Sequence, residues 1–127
     1  MPKNILKTAN APQAIGPYSQ AVVANGFVFV SGQIPINPIT GGVIDGDIKE
    51  QTKQVMENAK AILAAAGCTM ANIVRATIYC KNIADFAVIN EVYGGYFPSE
   101  PPARSTVEVA RLPKDANIEM DFIAWKG

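Results

Sequence analysis

Apolar positions recur along this chain with two different periods, which predict a mixture of strands and helices. Two β-rich runs, Gln20–Ala24 and Phe27–Ile34, are separated by Asn25-Gly26. This dipeptide favours the positive φ angles of a tight hairpin turn. The following residues, 34–46, contain two prolines and three glycines and are predicted to form a loop.

Helical periodicity begins after this loop. Asp47, with Glu50 three residues later, has the spacing of a capping box, and apolar residues then recur at helical intervals up to Gly67. Glycine is typical of the position just past a helix end. A second helix is predicted from about Ala84 to Tyr96, and its apolar stripe consists of Phe86, Ile89, Tyr93 and Phe97.

Three further strands complete the predicted order β-β-α-β-α-β-β: Ile73–Lys81, Ser105–Ala110 and Ile118–Trp125. In the first of them, alternation predicts an inward face of Val74, Ala76, Ile78 and Cys80. This order favours an α+β domain, spanning residues 1–127, with both helices on one face of the sheet. Because residues 27–30 are apolar on both faces, we expect a partner subunit to cover the other face.

Composition restricts the chemistry that 127 residues can carry. The chain has no histidine, so it cannot build a Ser-His-Asp or Cys-His pair, and two cysteines are too few for a closed thiolate metal site. Eleven basic and eleven acidic residues give no electrostatic footprint for nucleic acid or an anionic membrane. The charged fraction of 17%, against about 25% in soluble domains, favours self-association. The first residues lack the apolar core of a signal peptide, and a cytoplasmic location is expected.

Three polar residues stand where a core-building pattern would not place them. Arg104 follows the rigid Pro101-Pro102 and offers a planar fork for a carboxylate; the alternative is a salt bridge at a strand end. Glu119 shares a predicted strand face with Asp121, which indicates either a solvent-facing surface or a carboxyl whose pKa is raised for acid–base chemistry. Asn90 falls on the apolar stripe, where it would either hold the backbone or face a polar cavity.

Two short segments predict unusual backbone. Gly16-Pro17 precedes Tyr18, and this combination can direct the phenol across a cleft. Ser31-Gly32 interrupts an apolar strand, which indicates a β-bulge, with or without a ligand close to the backbone.

Three blocks of the sequence resemble the RidA (YjgF-type) family. They are Ala14–Gln20, Ser31–Pro35 and Pro102–Ser105, the last continuing through Val107–Pro113. The resemblance implies a chorismate-mutase-like fold and a homotrimer around a central barrel, with three clefts between subunits. It also implies 2-iminobutanoate/2-iminopropanoate deaminase activity without a metal or cofactor. The substrates would be imines released by pyridoxal-phosphate enzymes such as threonine dehydratase, and the products 2-oxo acids and ammonia.

The resemblance also assigns expected roles. Arg104 matches the family's carboxylate-binding arginine, Glu119 matches the acidic residue near the hydrolytic water, and Tyr18, Ser31, Gly32 and Asn90 match cleft positions. Thr106, also expected to line the substrate site, stands where many relatives have cysteine, so thiol-dependent behaviour of such relatives is not expected here.

Two other functions compete with the deaminase. A non-catalytic trimer that binds 2-oxo acids would use the same arginine. An endoribonuclease ranks lower, because balanced charge and the lack of histidine offer RNA little to bind or cleave it.

Overall fold

The computed structural model describes residues 2–127, which form a six-stranded mixed sheet and two α-helices. The strands are β1 (Asn4–Leu6), β2 (Ala21–Ala24), β3 (Phe27–Gln33), β4 (Ile73–Cys80), β5 (Ala103–Glu108) and β6 (Ile118–Trp125). They lie side by side in the order β1-β2-β3-β6-β4-β5. The helices are α1 (Ile48–Ala65) and α2 (Phe86–Gly94). Neighbouring strands are antiparallel except β4 and β5, which are parallel because α2 provides the crossover between them. The predicted α+β class is confirmed.

The predicted hairpin turn and the predicted ends of α1 are confirmed. Asn25 and Gly26 have φ angles of 51° and 83°, as a type I′ turn requires. The Asp47 carboxylate accepts a hydrogen bond of 2.9 Å from the Glu50 N–H. At the other end Gly67 has a φ of 77°, and the backbone N–H groups of residues 67 and 68 bond back into the last turn of the helix. This is the Schellman arrangement, which a glycine accommodates without steric cost.

The structure differs from the prediction at four places. Strand β1 was not predicted, since three residues are too few to show a period. Helix α2 is shorter than expected because a 3₁₀ turn, Ile83–Asp85, precedes it, and β5 begins two residues early. The inward position of Val74 was wrong: the pairing of β4 with β6 shifts between Ile73 and Arg75, so Ile73 is buried and Val74 is exposed.

Both helices pack on one face of the sheet and enclose a continuous core. Alternate residues of β6 point into it, as do alternate residues of β4 beyond the shift, and the stripe of α1 lies against β3 and β6. Among the largest buried side chains of this core are those of Met56, Ile62, Leu63, Ile78, Ile89, Met120 and Phe122.

The other face of the sheet carries an exposed cluster of apolar side chains. Phe27 pairs with Trp125, and Phe29 pairs with Ile123. The exposed fractions are 37% for Phe27, 45% for Phe29 and 52% for Trp125. We call Phe27, Phe29, Ile123 and Trp125 together the aromatic patch. Separately, neither helix in residues 2–127 combines the length and the apolar character that crossing a membrane requires.

Candidate functional site

Arg104 lies on the edge strand β5 and points to the helix side of the sheet. Its strand partner is Ala76, which is fully buried and points to the same side. The guanidinium Nη1 donates a hydrogen bond of 2.7 Å to Asn90 Oδ1 on α2. Its Cζ lies 4.9 Å from the ring centroid of Tyr93 and 5.5 Å from that of Phe86, so two rings bracket the charge.

Two predictions about this region change. Asn90 is exposed rather than buried, and it binds a side chain rather than backbone. The alternative of a strand-end salt bridge for Arg104 is wrong, because within residues 2–127 the guanidinium forms no ion pair with any carboxylate. Its hydrogen bond to Asn90 uses one of five N–H donors, which leaves donors for a ligand.

Thr106 lies two residues after Arg104 and faces the same side of the sheet, opposite buried Ile78. Together with Ile83 and Phe86, these two residues line a shallow pocket of about 520 Å³, which we call the arginine pocket. The Thr106 hydroxyl is buried and has no hydrogen-bond partner in the described part of the chain.

Glu119 lies on the opposite face. It alternates along β6 with buried Ile118 and Met120, and pairs across to Tyr79. Glu119 contributes to a separate cleft of about 520 Å³, which we call the carboxylate cleft. The cleft also contains three of the predicted site residues, Tyr18, Ser31 and Gly32.

The predicted bulge in β3 explains how Gly32 and Glu119 come together. The pairing of β3 with β6 shifts between Val30 and Gln33, which moves the Gly32 backbone beside the Glu119 carboxylate. A Cβ on Gly32 would overlap a carboxylate oxygen and lie 3.0 Å from Glu119 Cδ. A side chain at position 32 would therefore have to displace the Glu119 carboxylate. The Ser31 hydroxyl donates a hydrogen bond of 2.5 Å to the Ser19 carbonyl, which fixes the loop that carries Tyr18.

The surroundings of Glu119 in the carboxylate cleft change the pKa of its carboxyl group. Burial, with a further contribution from the negative charge of Asp121, raises the pKa of Glu119 above its ordinary value. Asp121 itself accepts a hydrogen bond of 3.0 Å from the Tyr79 hydroxyl. Glu119 is therefore half-buried rather than fully solvent-facing, and its pKa is raised; its use in acid–base chemistry stays a prediction.

Three residues of these two surfaces were not identified from sequence. Phe86 and Tyr93 were predicted only as residues of the apolar stripe. Tyr93 is buried as expected, but both rings also lie beside Arg104, a contact that their spacing from Asn90 (four and three residues) makes possible from one side of α2. Lys114 lines the carboxylate cleft from a turn in which it and Asp115 both have a φ of 55°. Lysine gives no sequence signal for left-handed backbone, whereas aspartate adopts it more often than most residues.

The seven predicted site residues therefore form two groups on opposite faces of the sheet. One group is Tyr18, Ser31, Gly32 and Glu119; the other is Asn90, Arg104 and Thr106. Paired residues on adjacent strands point to the same face, so the register prevents Arg104 and Glu119 of one chain from facing each other. Each chain therefore carries two separate groups of predicted site residues.

Comparison with known proteins agrees with the motifs. The model of the Endoribonuclease L-PSP family matches residues 8–126. The chain belongs to this family, the YjgF/RidA family. A RutC family protein of Pyrococcus horikoshii is 55% identical over 124 residues, covering 98% of each chain. The bovine protein named 2-iminobutanoate/2-iminopropanoate deaminase is 44% identical over 125 residues, covering 98% of this chain and 91% of its own.

Solved structures of YjgF/RidA proteins share the fold. The crystal structure of Escherichia coli TdcF with bound serine superposes with a TM-score of 0.93 at 45% identity, covering 98% of this chain and 99% of that one. At this similarity the α+β fold is that of the YjgF/RidA family.

Proposed function

We propose that this protein is a deaminase that hydrolyses 2-imino acids to 2-oxo acids and ammonia, in clefts formed between copies of the chain. The observation that carries the proposal is the division of the predicted site residues between the two faces of the sheet. We call the two groups half-sites, because in the proposal each supplies one side of a cleft between copies. The Arg104 guanidinium lies on one face and forms no ion pair with any carboxylate within residues 2–127. The Glu119 carboxyl lies on the other face, and its pKa is raised. The name of the bovine relative and the serine bound to TdcF support a small substrate of the amino-acid type.

In this proposal, Arg104 binds the substrate carboxylate through two parallel hydrogen bonds. Its fork is already held by Asn90 and by two rings, so little side-chain freedom is lost on binding. Holding the carboxylate fixes the position of C2, the atom that water attacks.

In the proposed reaction, Glu119 accepts a proton from water and donates it to the imine nitrogen. As a carboxylate it accepts a proton from water while the oxygen bonds to C2 of the protonated imine. The resulting acid then returns the proton to nitrogen, and the C2–N bond breaks with its electron pair on nitrogen. The departing nitrogen leaves as ammonia, and the hydroxyl proton passes to it through the Glu119 carboxylate as the carbonyl forms, so the products are a 2-oxo acid and ammonium. A raised pKa brings Glu119 nearer to neutrality, where one group can serve as both base and acid.

We further propose that the chain forms a homotrimer in which the aromatic patch is buried. Four apolar side chains on the face away from the helices are more than a lone domain needs to expose. In a closed ring, the arginine pocket of one copy would meet the carboxylate cleft of the next. Light scattering tests this: wild type should have the mass of three chains, and Phe29→Ser should shift the mass toward one chain. A monomeric wild type would contradict it.

The activity is tested by coupling to threonine dehydratase with semicarbazide as the trap for the imine. We expect the protein to increase 2-oxobutanoate formation and to decrease the trapped adduct. If it binds 2-oxobutanoate without accelerating hydrolysis, the protein is the non-catalytic binding trimer instead.

The family description names an endoribonuclease, which the residues present do not favour. The chain has no histidine and balanced charge, whereas RNA binding relies on neutralising phosphates with basic side chains. Incubation with labelled single-stranded RNA distinguishes this function, and we expect no cleavage at protein concentrations that saturate imine hydrolysis.

A further inference from the structure

Neutral groups alone hold the Arg104 guanidinium. Nη1 donates to the amide oxygen of Asn90 at 2.7 Å, and the rings of Tyr93 and Phe86 lie 4.9 Å and 5.5 Å from Cζ. Within residues 2–127 the single ion pair joins Arg111 to Asp115, so no carboxylate neutralises Arg104. The contacts restrict where the fork points and leave its charge available.

The chemistry of the residue at position 90 decides whether that charge stays available. An amide oxygen satisfies one N–H and carries no net charge, so the guanidinium remains a full cation toward a ligand. A carboxylate in the same place would form an ion pair with the fork and compete with an incoming carboxylate. Asn90 therefore has the geometry of an anchor without the competing charge.

Tyr93 follows the same pattern. Its ring faces the guanidinium, while its hydroxyl is buried and has no hydrogen-bond partner in the described part of the chain. Burial raises the pKa of Tyr93, although the charge of Arg104 opposes this effect. The phenol thus stays protonated and adds no negative charge beside the fork.

We infer that Asn90 is a positioning residue, which aims the Arg104 fork at the carboxylate of a 2-oxo or 2-imino acid through a neutral anchor and does not bind that ligand itself. The inference takes its ligand class from the proposed function. It differs from the role implied by family resemblance, in which Asn90 is one of the cleft positions around the substrate.

Three variants test the inference, with 2-oxobutanoate as the probe. Asn90→Asp keeps the side-chain shape and adds a charge, and Asn90→Leu removes the acceptor without adding one. Asn82→Asp is the matched control, because it makes the same change at an exposed cap, where Oδ1 accepts from the Ala84 N–H at 3.0 Å. Affinity is measured by calorimetry from pH 3 to pH 8, together with thermal unfolding of each variant at each pH.

We expect Asn90→Asp to weaken 2-oxobutanoate binding about tenfold or more at pH 7, the effect of one competing charge-assisted hydrogen bond. Affinity should begin to recover only toward about pH 3, because the ion pair with Arg104 lowers the pKa of the new carboxylate below its ordinary value. Asn90→Leu should lose less, with no added pH dependence, since the fork keeps its charge. Asn82→Asp should stay within about twofold of wild type.

Three results would overturn the inference. The first is Asn90→Asp binding within twofold of wild type at pH 7. The second is an equal loss in the Asp and Leu variants at every pH, which would mean that Asn90 contacts the ligand or only supports the fold. The third is a wild-type protein that does not bind 2-oxobutanoate. If wild type binds 2-oxobutanoate but does not accelerate imine hydrolysis, the proposed deaminase activity is contradicted. The affinities of the variants still test the role of Asn90 in that case.

Discussion

Because Arg104 and Glu119 lie on opposite faces of the sheet, we predict that oligomers mixed from two variants differ in activity from either variant alone. Two inactive variants, Arg104→Met and Glu119→Gln, should regain activity when their chains assemble together. The reason is that in the proposed trimer a cleft between copies would take its arginine from one chain and its carboxyl from the next, since the register places the two on opposite faces of each sheet. Methionine keeps an apolar stem against the rings of Phe86 and Tyr93 and removes only the fork.

The expected magnitude follows from the arrangement. In a closed ring assembled at random from equal amounts of the two variants, the chain that supplies the arginine is intact at that position in about half of the clefts. The same holds independently for the chain that supplies the carboxyl, so about one quarter of the clefts are complete. A site formed within one chain would give no complete cleft in this mixture.

A second mixture distinguishes clefts between copies from sites within one chain by a different expected activity. The double variant, with both substitutions in one chain, is combined with an equal amount of wild type. Clefts between copies again give about one quarter of wild-type activity, whereas sites within one chain give about one half. Chains are unfolded and refolded together, or co-expressed with two tags, and hydrolysis is followed by the trapping assay. Activity near zero for the first mixture and near one half for the second would refute our assignment of the half-sites.

Three other substitutions test single contacts. Arg104→Lys loses the fork and its bond to Asn90, so kcat/KM should fall about 10- to 100-fold, the effect of one charge-assisted hydrogen bond, with little change in Tm; near-wild-type kinetics would exclude the carboxylate clamp. Glu119→Gln should reduce kcat by about 10²-fold or more. Because the pKa of Glu119 is raised in the folded chain, its ionisation costs stability as pH rises above about 4.3, the unfolded value. The glutamine variant should therefore have the higher Tm at pH 8, an advantage that disappears at low pH; a lower Tm at pH 8 would contradict the burial argument. Gly32→Ala should displace the Glu119 carboxylate, the end of a flexible side chain, and so lower kcat with a change in stability of only about 0.5–1 kcal/mol. Gly94→Ala is the control, because a Cβ there meets open space at the end of α2; it should leave kcat within about twofold of wild type and stabilise the helix by up to about 1 kcal/mol. Equal kcat values for the two variants would count against the close approach at Gly32.

The elements predicted correctly from sequence are those whose signals are local. The Asn25-Gly26 turn, the Asp47 cap and the Gly67 terminus depend on a few adjacent residues, and each is present in the structure. The exposure of Val74 could not be predicted, because the shift in β4 arises from its pairing with β6, a strand more than 40 residues away. A pattern read along one strand does not contain that information.

The candidate site shows the same limit. Arg104 and Glu119 stood out by residue type and neighbours, and the bulge at Gly32 was predicted from the strand it interrupts. Their division between two faces depends on the register of β5 against β4 and of β6 against β4, which no local pattern reveals. The exposure of Asn90 was missed for a related reason: helical spacing places it beside Phe86 and Tyr93, but only the edge position of β5 leaves that side of α2 open to Arg104.

The division also explains how a chain without histidine can keep both groups suited to imine hydrolysis. If Arg104 and Glu119 touched within one chain, the ion pair would occupy the fork and lower the pKa of the carboxyl. In the structure the influences on Glu119 are burial and Asp121, both of which raise its pKa, and the guanidinium is held by an amide and two rings. Each half-site thus retains the property that the proposed reaction needs: a free cation for the carboxylate, and an acid that exchanges protons closer to neutral pH. Assembly would then bring the halves together around a substrate whose own carboxylate, and not Glu119, is the anion that the fork binds.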